Sequence, residues 1–291
     1  MIFSRNATEA PLIAVIGAGG LSGGYLVNAL KTANVRIRAV AHDDSGAQRA
    51  KDKGAHETVT AELSNPSSAR AALEGVDVVY MIPPAMHPYE DDFAINALRA
   101  AEVAGVNRFV YTSVLHPHTP SLRHHLRKAR AEAVIRESSL SWTILQPSMF
   151  AQMVFLMFGN RPAGQVHVPF KTSLTFSMID LRDLSAVAVK TLTEEGHEFA
   201  SYELCGPALT MGDAVRIAGK IRGVELEPIR IAPSAAALPA KFAERSSQAA
   251  DMQAMWEDYD RQGLRGNTNV LEMLLGRPPA DFENVARSMV E

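Results

Sequence analysis

Short runs rich in apolar residues recur through the first half of the chain, and residues 12–16 form one without a polar interruption. They predict strands at residues 12–16, 35–41, 58–63, 76–82, 108–113 and 142–146. Strands that are buried on both faces of a parallel sheet have this continuous apolar character, because helices cover both faces. The segments between the runs carry apolar residues at helical spacing. They predict helices at residues 25–32, 47–54, 67–73, 91–104 and 129–138.

Strands that alternate with helices indicate βαβ crossovers and hence a parallel sheet. We therefore predict an α/β protein with a Rossmann-type, doubly wound parallel sheet in residues 1–150. A smaller, mostly C-terminal α/β substrate lobe is expected in residues 151–291, with part of residues 175–205 returning to the Rossmann domain. The pattern in the second half predicts a Met- and Phe-rich apolar segment at 153–164, helices at 183–193 and 211–221, a strand at 201–204 and mostly helix at 241–291.

The charge balance argues against a nucleic-acid partner. The 29 basic and 32 acidic residues give a net charge of −3 and form no basic stripe, whereas nucleic-acid-binding surfaces need a basic excess. The sequence has no apolar stretch of signal-peptide or membrane-span length, which predicts a cytoplasmic protein without membrane contact. The single cysteine, Cys205, cannot form an internal disulfide and is expected to be a small buried residue.

A glycine-rich turn follows the first predicted strand. Gly17, Gly20 and Gly23 have the spacing Gly-x-x-Gly-x-x-Gly. Glycine lets the backbone turn sharply and approach a pyrophosphate, while the next helix directs its free N–H groups at the phosphates. A turn in this position, between a strand and a helix, predicts NAD(P) binding. The predicted cradle consists of Gly17, Gly19, Gly20, Leu21, Ser22 and Gly23.

The end of the second strand is where a dinucleotide fold meets the adenine ribose. His42 and Asp43 occupy this position. Asp43 as an acceptor for the ribose 2′-hydroxyl favours NAD. His42 can instead stack on adenine or meet a 2′-phosphate with help from Arg49 or Lys51, which favours NADP. The sequence leaves the two cofactors open.

Seven segments of the chain carry a family resemblance. They are residues 17–23, 76–84, 104–113, 128–132, 142–150, 179–184 and 274–282. Together they resemble the NmrA-like family of atypical short-chain dehydrogenases/reductases, in the order expected for that family and over nearly the whole chain. The resemblance implies an NAD(P)-binding Rossmann domain with a small lobe over the cleft. It also implies one of two functions, an NAD(P)H-dependent reductase or a redox-sensing regulator that binds the cofactor without turnover.

Three positions depart from the family pattern. His42 stands where arginine is frequent, which weakens the slight preference for NADP that the family implies. Gly19-Gly20 replaces the Thr-Gly of the usual Gly-Ala-Thr-Gly turn, a change that keeps the backbone cradle. Gln146 replaces a frequent arginine, so we expect a polar contact to be lost there.

A candidate catalytic group lies around the fifth strand and the helix that follows it. Ordinary short-chain dehydrogenases use a Tyr-x-x-x-Lys pair and an upstream serine. This chain keeps Ser113 and Lys128 and has His124 four residues before the lysine, on the same helix face. Histidine is a competent proton donor near neutral pH. We therefore expect Ser113, His124 and Lys128 to be catalytic, with Lys128 also holding the cofactor.

Other residues are weaker candidates. Tyr89 and Tyr111 are alternative proton donors, although Tyr111 lies within a strand and is expected to pack. The histidines near residue 120 lack the acidic partners and spacing of zinc motifs, so no metal is expected. Further cofactor contacts are expected from Ile82, Pro83, Pro147, Met149 and Phe150, and substrate contacts from Tyr89, Gln152 and Phe155.

These features predict an NAD(P)H-dependent oxidoreductase that transfers hydride to a small uncharged carbonyl, quinone or conjugated alkene. The alternative is a non-catalytic NAD(P)-sensing regulatory protein, which needs no proton donor. The expected partner is a small-molecule substrate. Helices such as 91–104 allow a homodimer, but they serve equally well to cover the sheet.

Overall fold

The computed structural model of the protein describes residues 10–159, 161–239 and 245–291. Residues 1–9 of the predicted Rossmann domain and 241–244 of the predicted helical region lie outside the described residues. In chain order the strands are β1 (Leu12–Ile16), β2 (Arg36–Ala41), β3 (Glu57–Thr60), β4 (Val78–Met81), β5 (Arg108–Thr112), β6 (Ser141–Pro147), β7 (Met149–Phe150), β8 (Gly164–Val168), β9 (Thr175–Ile179), β10 (Ala200–Leu204), β11 (Ala208–Thr210) and β12 (Leu226–Arg230). The α-helices are α1 (Leu21–Leu30), α2 (Asp44–Asp52), α3 (Pro66–Ala72), α4 (Glu90–Ala104), α5 (Arg123–Arg136), α6 (Ala151–Phe158), α7 (Leu181–Thr193), α8 (Met211–Ile221), α9 (Ser246–Gln262), α10 (Asn269–Leu275) and α11 (Phe282–Ser288).

A seven-stranded sheet forms the centre of the fold, with the strand order β10-β6-β5-β4-β1-β2-β3. The strands β1 to β6 are parallel to their neighbours within this group. Every residue of β1, β4 and β5 is buried, as their apolar runs predict. The strand order reverses between β1 and β4, and open α/β sheets bind ligands at the carboxyl edge of such a switch point. The predicted Rossmann-type α/β fold is confirmed.

The helix α4 illustrates how the sequence defines its elements. Its first turn is acidic, which suits the positive end of the helix dipole. Its small buried residues Ala94, Ala97, Leu98 and Ala101 lie at helical spacing and belong to the main core cluster. The helix ends at Gly105, whose φ of +68° is the left-handed conformation that glycine adopts readily.

The structure differs from the sequence predictions at several element boundaries. The helix α1 begins at Leu21 rather than at residue 25, because Gly23 and Gly24 have low helix propensity and hide its first turn. The helix α5 begins at Arg123 rather than at residue 129, because its first turns are polar and rich in histidine. The strands β7, β8, β9, β11 and β12 are not predicted from the sequence pattern.

The chain divides into two compact units. The Rossmann unit comprises the described residues up to 117, together with 127–146 and 184–202. The second unit comprises residues 118–126, 147–183 and the described residues from 203 onwards. Within the second unit, two small sheets have the orders β11-β9-β7 and β12-β8, and the rings of Phe170, Phe176 and Tyr259 pack with centroids 5.0–6.0 Å apart.

The hydropathy of the helices bears on membrane contact. Within the described ranges, no α-helix combines the length and the apolar character that crossing a membrane requires.

Candidate functional site

The turn after β1 is built from glycines that no other residue can replace without a clash. Gly17 has a φ of +83°, and a Cβ at this position would lie 2.7 Å from the carbonyl oxygen of Ile82. A Cβ at Gly23 would lie 2.3 Å from the oxygen of Gly17, and one at Gly19 would lie 2.5 Å from the Cα of Gly46. In each case the added Cβ would overlap a backbone atom, so the turn depends on the absence of side chains at these positions.

The start of α1 is open to a ligand. Its N-cap residue, Gly20, makes no side-chain capping bond, and the first turn carries no acid. The neighbouring helices differ, because Asp43 caps α2 and Asn65 caps α3. Gly20 and Leu21 are exposed. The uncapped N–H groups and the helix dipole therefore suit a phosphate, and the residues of the turn fit the pyrophosphate of a dinucleotide.

The end of β2 holds charges of both signs. The carboxylate of Asp43 accepts the N–H of Gly46 at 2.6 Å and the hydroxyl of Ser45 at 3.0 Å, and these hydrogen bonds lower its pKa. Arg49 donates its Nε to the carbonyl oxygen of Gly19 at 3.0 Å, which links α2 to the glycine turn. The side chain of His42 is exposed, with its Nδ1 3.9 Å from Glu62. Asp43 and Arg49 therefore offer an acceptor and a cation at the strand end where a dinucleotide fold meets the adenine ribose.

The end of β4 lies directly beside the glycine turn. The N–H of Ile82 donates to the carbonyl oxygen of Ile16 at 3.1 Å. Ile82 is half-buried and Pro83 is buried. Tyr89 precedes α4, and its side chain is exposed. The structure thus brings Ile82 to the predicted cradle and leaves Tyr89 on an exposed loop.

Lys128 has a buried acidic partner. Its Nζ lies 3.1 Å from Oε2 of Glu90, while Nε of Arg127 lies 3.2 Å from the other oxygen of the same carboxylate. Glu90 is completely buried and Lys128 is 8% exposed. Water therefore screens this ion pair far less than a surface pair. Its position at the carboxyl side of β4 places the ammonium in the region where the fold binds ligands.

Ser113 contacts a second buried carboxylate, that of Glu132. Its hydroxyl donates to Glu132, which also accepts the amide of Gln146 at 2.8 and 3.0 Å. The guanidinium of Arg136 also contacts this carboxylate, with its Nη1 3.1 Å from Oε2 of Glu132. Gln146 thus makes polar contacts of its own, because its amide reaches Glu132 within the same unit, while the loss of the contact made by the family's arginine stays a prediction. Ser113 and Lys128 each contact a carboxylate of their own.

Tyr111 lies between these two groups in β5. Its ring is fully buried in the main core cluster. Burial raises the pKa of its hydroxyl well above the usual value, and the negative charges of Glu90, Glu132 and Asp91 raise it further. The hydroxyl therefore stays protonated and neutral. This environment agrees with the packing role that its strand position predicts.

The remaining predicted catalytic residue, His124, lies in the first turn of α5. Its ring is nearly buried and meets the ring of His125 edge to face, with centroids 4.5 Å apart. Among the described residues, no group of three or more histidines, cysteines or acids is arranged to hold a metal ion. Proton donation by His124 stays a prediction.

The predicted residues of the second unit differ in accessibility. Met149 and Phe150 are half-buried, and Pro147 is buried. Gln152 is completely buried, its amide donates to Asp180 and its oxygen accepts the N–H of Leu181.

The apolar side chains of α6 differ in the same way. Phe155 is 3% exposed, whereas Met153, Leu156 and Met157 are 44–49% exposed. Gln152 and Phe155 therefore hold α6 in place in this structure, and any contact with substrate stays a prediction.

Sequence reasoning missed the two carboxylates that organise the polar groups. A signal for each was present. Glu132 lies four residues after Lys128 on one helix, a spacing that places side chains on one face. Glu90 opens a helix that follows a strand end, where acids complement the helix dipole. The pairing of Glu90 with Lys128, which lies 38 residues away, appears only in the fold.

The chain is similar to NAD(P)-dependent reductases and, in its fold, to a regulator. An NAD(P)H azoreductase of Xenophilus azovorans is 28% identical over 290 residues, which cover 95% of this chain and 97% of that protein. The NADPH complex of the quinone oxidoreductase QOR2 from Escherichia coli has a TM-score of 0.79 at 22% identity, with 96% of this chain and 100% of that chain covered. The NAD complex of NmrA, a negative transcriptional regulator, has a TM-score of 0.76 at 15% identity, with 96% and 95% covered.

The two structural identities are low, so these likenesses support the fold alone. The sequence match to a family is broader. The model of the NmrA-like family matches residues 9–265, most of the chain. This match covers six of the seven segments that carry the resemblance, and the seventh, residues 274–282, lies beyond it. The chain belongs to the NmrA-like family.

Proposed function

We propose that the protein is an NAD(P)H-dependent oxidoreductase that transfers hydride to a small uncharged carbonyl, quinone or conjugated alkene. The observation that carries the proposal is the open, uncapped glycine turn after β1, together with a buried lysine–glutamate pair whose acid begins the helix after β4. The turn supplies the phosphate cradle, and the pair supplies an ammonium group that is held by a carboxylate. The similarity to an NAD(P)H azoreductase supports this activity.

Each group of the chain has a defined task in this proposal. The backbone of residues 17–23 and the start of α1 hold the pyrophosphate. Lys128 holds the nicotinamide ribose and stabilises negative charge that develops on the substrate oxygen. His124 and Ser113 are the candidate groups for proton transfer. The reduced nicotinamide, when bound, supplies the hydride. Ile82, Pro83, Pro147, Met149 and Phe150 are proposed as further cofactor contacts.

Two measurements test the proposal. The purified protein is titrated with NADPH and NADH, and oxidation of the bound cofactor is then followed with quinones, aldehydes and azo dyes. Lys128→Met is expected to lower kcat/KM about 100-fold, the usual contribution of one positioned group. The control is Lys220→Met, since Lys220 is exposed on α8. Failure of both reduced cofactors to bind would refute the proposal.

A second candidate function is a cofactor-sensing regulator. It is favoured by the lack of a tyrosine at position 124, four residues before Lys128. Such a protein distinguishes oxidised from reduced cofactor and needs no proton donor. Tight binding without turnover on every acceptor would select this function over the reductase.

A further inference from the structure

The acids at the start of α4 pair with different cations of α5. The first turn of α4 carries three acids. Only Glu90 contacts Lys128, while Asp91 and Asp92 both pair with Arg130. Glu132 is committed to Ser113, Gln146 and Arg136. Glu90 is therefore the carboxylate that the fold assigns to the lysine.

Arg127 fixes the orientation of this carboxylate. It contacts Oε1 of Glu90, so the second oxygen, Oε2, is directed to the ammonium of Lys128. Both side chains of the lysine pair are at least nine-tenths buried. A buried carboxylate between two cations is stable only in a narrow geometry. The arrangement therefore holds Oε2 of Glu90 at one place.

We propose that Glu90 is a positioning residue, which holds the Lys128 ammonium where it binds the reduced nicotinamide cofactor. A lysine side chain has four rotatable bonds, and a partner at its end removes much of their freedom before the ligand arrives. The ammonium has three N–H donors, so donors remain for ribose hydroxyls after Glu90 is contacted. This inference rests on the proposed oxidoreductase function.

The first test is Glu90→Gln, which keeps the shape and removes the charge. We expect both the Kd for the preferred reduced cofactor, measured by fluorescence titration, and its KM to rise about tenfold, because a charged partner that orients another group typically contributes this much. The KM for the acceptor is expected to change less than about twofold. Asp92→Asn is the matched control, since Asp92 lies in the same turn but pairs with exposed Arg130, and its kinetics are expected to stay unchanged.

A variant with the charge retained separates position from charge. Glu90→Asp keeps the carboxylate but withdraws it by one methylene group from Lys128. We expect the same direction of change in the cofactor KM. This variant also provides the test if Glu90→Gln does not fold, because it retains a negative charge beside Arg127.

A double-mutant cycle distinguishes positioning from a general structural role. In a Lys128→Met background, Glu90→Gln is expected to change the cofactor KM less than about twofold, because its effect acts through the lysine. A merely structural role lowers the fraction of active protein and the Tm, but it leaves the KM of the active molecules unchanged and persists without the lysine. An unchanged cofactor KM in both Glu90 variants, with an active wild-type enzyme, would overturn the inference. An inactive wild-type protein would instead refute the proposed function.

Discussion

The glycine turn and the Lys128 group differ in which parts of the chain form them. Both are proposed to place ligand-binding groups at the carboxyl edge of the sheet. The turn does so with backbone alone, since a Cβ at Gly17, Gly19 or Gly23 would come within 2.7 Å of another backbone atom. The Lys128 group does so with side chains from two helices, and its geometry depends on a carboxylate 38 residues away in the sequence.

This difference determines how each region tolerates change. A backbone site is closed to substitution, because any side chain meets atoms that cannot move without moving the strand. A side-chain site accepts substitution but loses the partner that fixes its geometry. We therefore expect changes in the turn to disrupt folding and binding together, and changes in the side-chain group to alter stability and kinetics separately.

The strongest test of the comparison is a pair of alanine substitutions in adjacent glycines. Gly23→Ala places a Cβ 2.3 Å from the carbonyl oxygen of Gly17, whereas Gly24→Ala meets only the side chain of Lys53 at 3.6 Å. We expect Gly23→Ala to lower the free energy of unfolding by about 3 kcal/mol and to abolish cofactor binding. Gly24→Ala is expected to raise it by about 0.5 kcal/mol, because alanine is the better helix former. Urea denaturation and cofactor titration measure both effects.

The same experiment can break the comparison. If Gly23→Ala binds cofactor with wild-type affinity, the turn tolerates a side chain and does not act as a backbone cradle. Equal losses in the two variants would show that helix α1, rather than the close approach at Gly17, responds to the substitutions.

The two regions also differ in how far their sequence predicts them. The cradle follows from local spacing, since Gly17, Gly20 and Gly23 stand between a strand and a helix. The strands β1 and β4 are predictable for a similar reason, because burial on both faces leaves an unbroken apolar run. These signals need no knowledge of distant residues.

The partners of Lys128 and Ser113 could not be predicted in this way. Single acids at helix starts are usually solvated, and only the packing of α4 against α5 shows that Glu90 is buried. Gln152 shows a similar limit. Its place after the sixth strand predicts a ligand contact, and only the structure shows that its amide also bonds Asp180 and Leu181 within the second unit.

The stability of the side-chain region is tested at Glu132. Glu132→Ala leaves the buried hydroxyl of Ser113 and the buried amide of Gln146 without their acceptor. Two neutral groups that lose a buried acceptor lower the free energy of unfolding by about 2 kcal/mol. Glu137→Ala is the matched control, because Glu137 is an exposed acid just beyond the same helix, and its effect should stay within about 0.5 kcal/mol. A similar loss in both variants would show that the Glu132 contacts add nothing to stability.

The choice of cofactor is tested at the junction of the turn and α2. Arg49 is exposed and contacts Gly19, whereas Lys51 lies two residues further along the helix and faces away from it. If Arg49 meets a 2′-phosphate, Arg49→Ala should raise the KM for NADPH about tenfold, leave the KM for NADH within about twofold, and leave both unchanged in the Lys51→Ala control. Equal increases for the two cofactors would assign Arg49 to the support of the turn alone.

The smallest effect is expected at a buried group that has no charged partner to fix it. Cys205 is completely buried in the second unit, and burial together with nearby Glu203 raises the pKa of its thiol to about 12. A thiol with so high a pKa has almost no reactive thiolate at mildly alkaline pH. We therefore expect no alkylation of the native protein by iodoacetamide, and labelling of the one cysteine after unfolding in guanidinium chloride. Labelling of the native protein at the rate of the unfolded chain would show that burial in the second unit does not protect the thiol of Cys205.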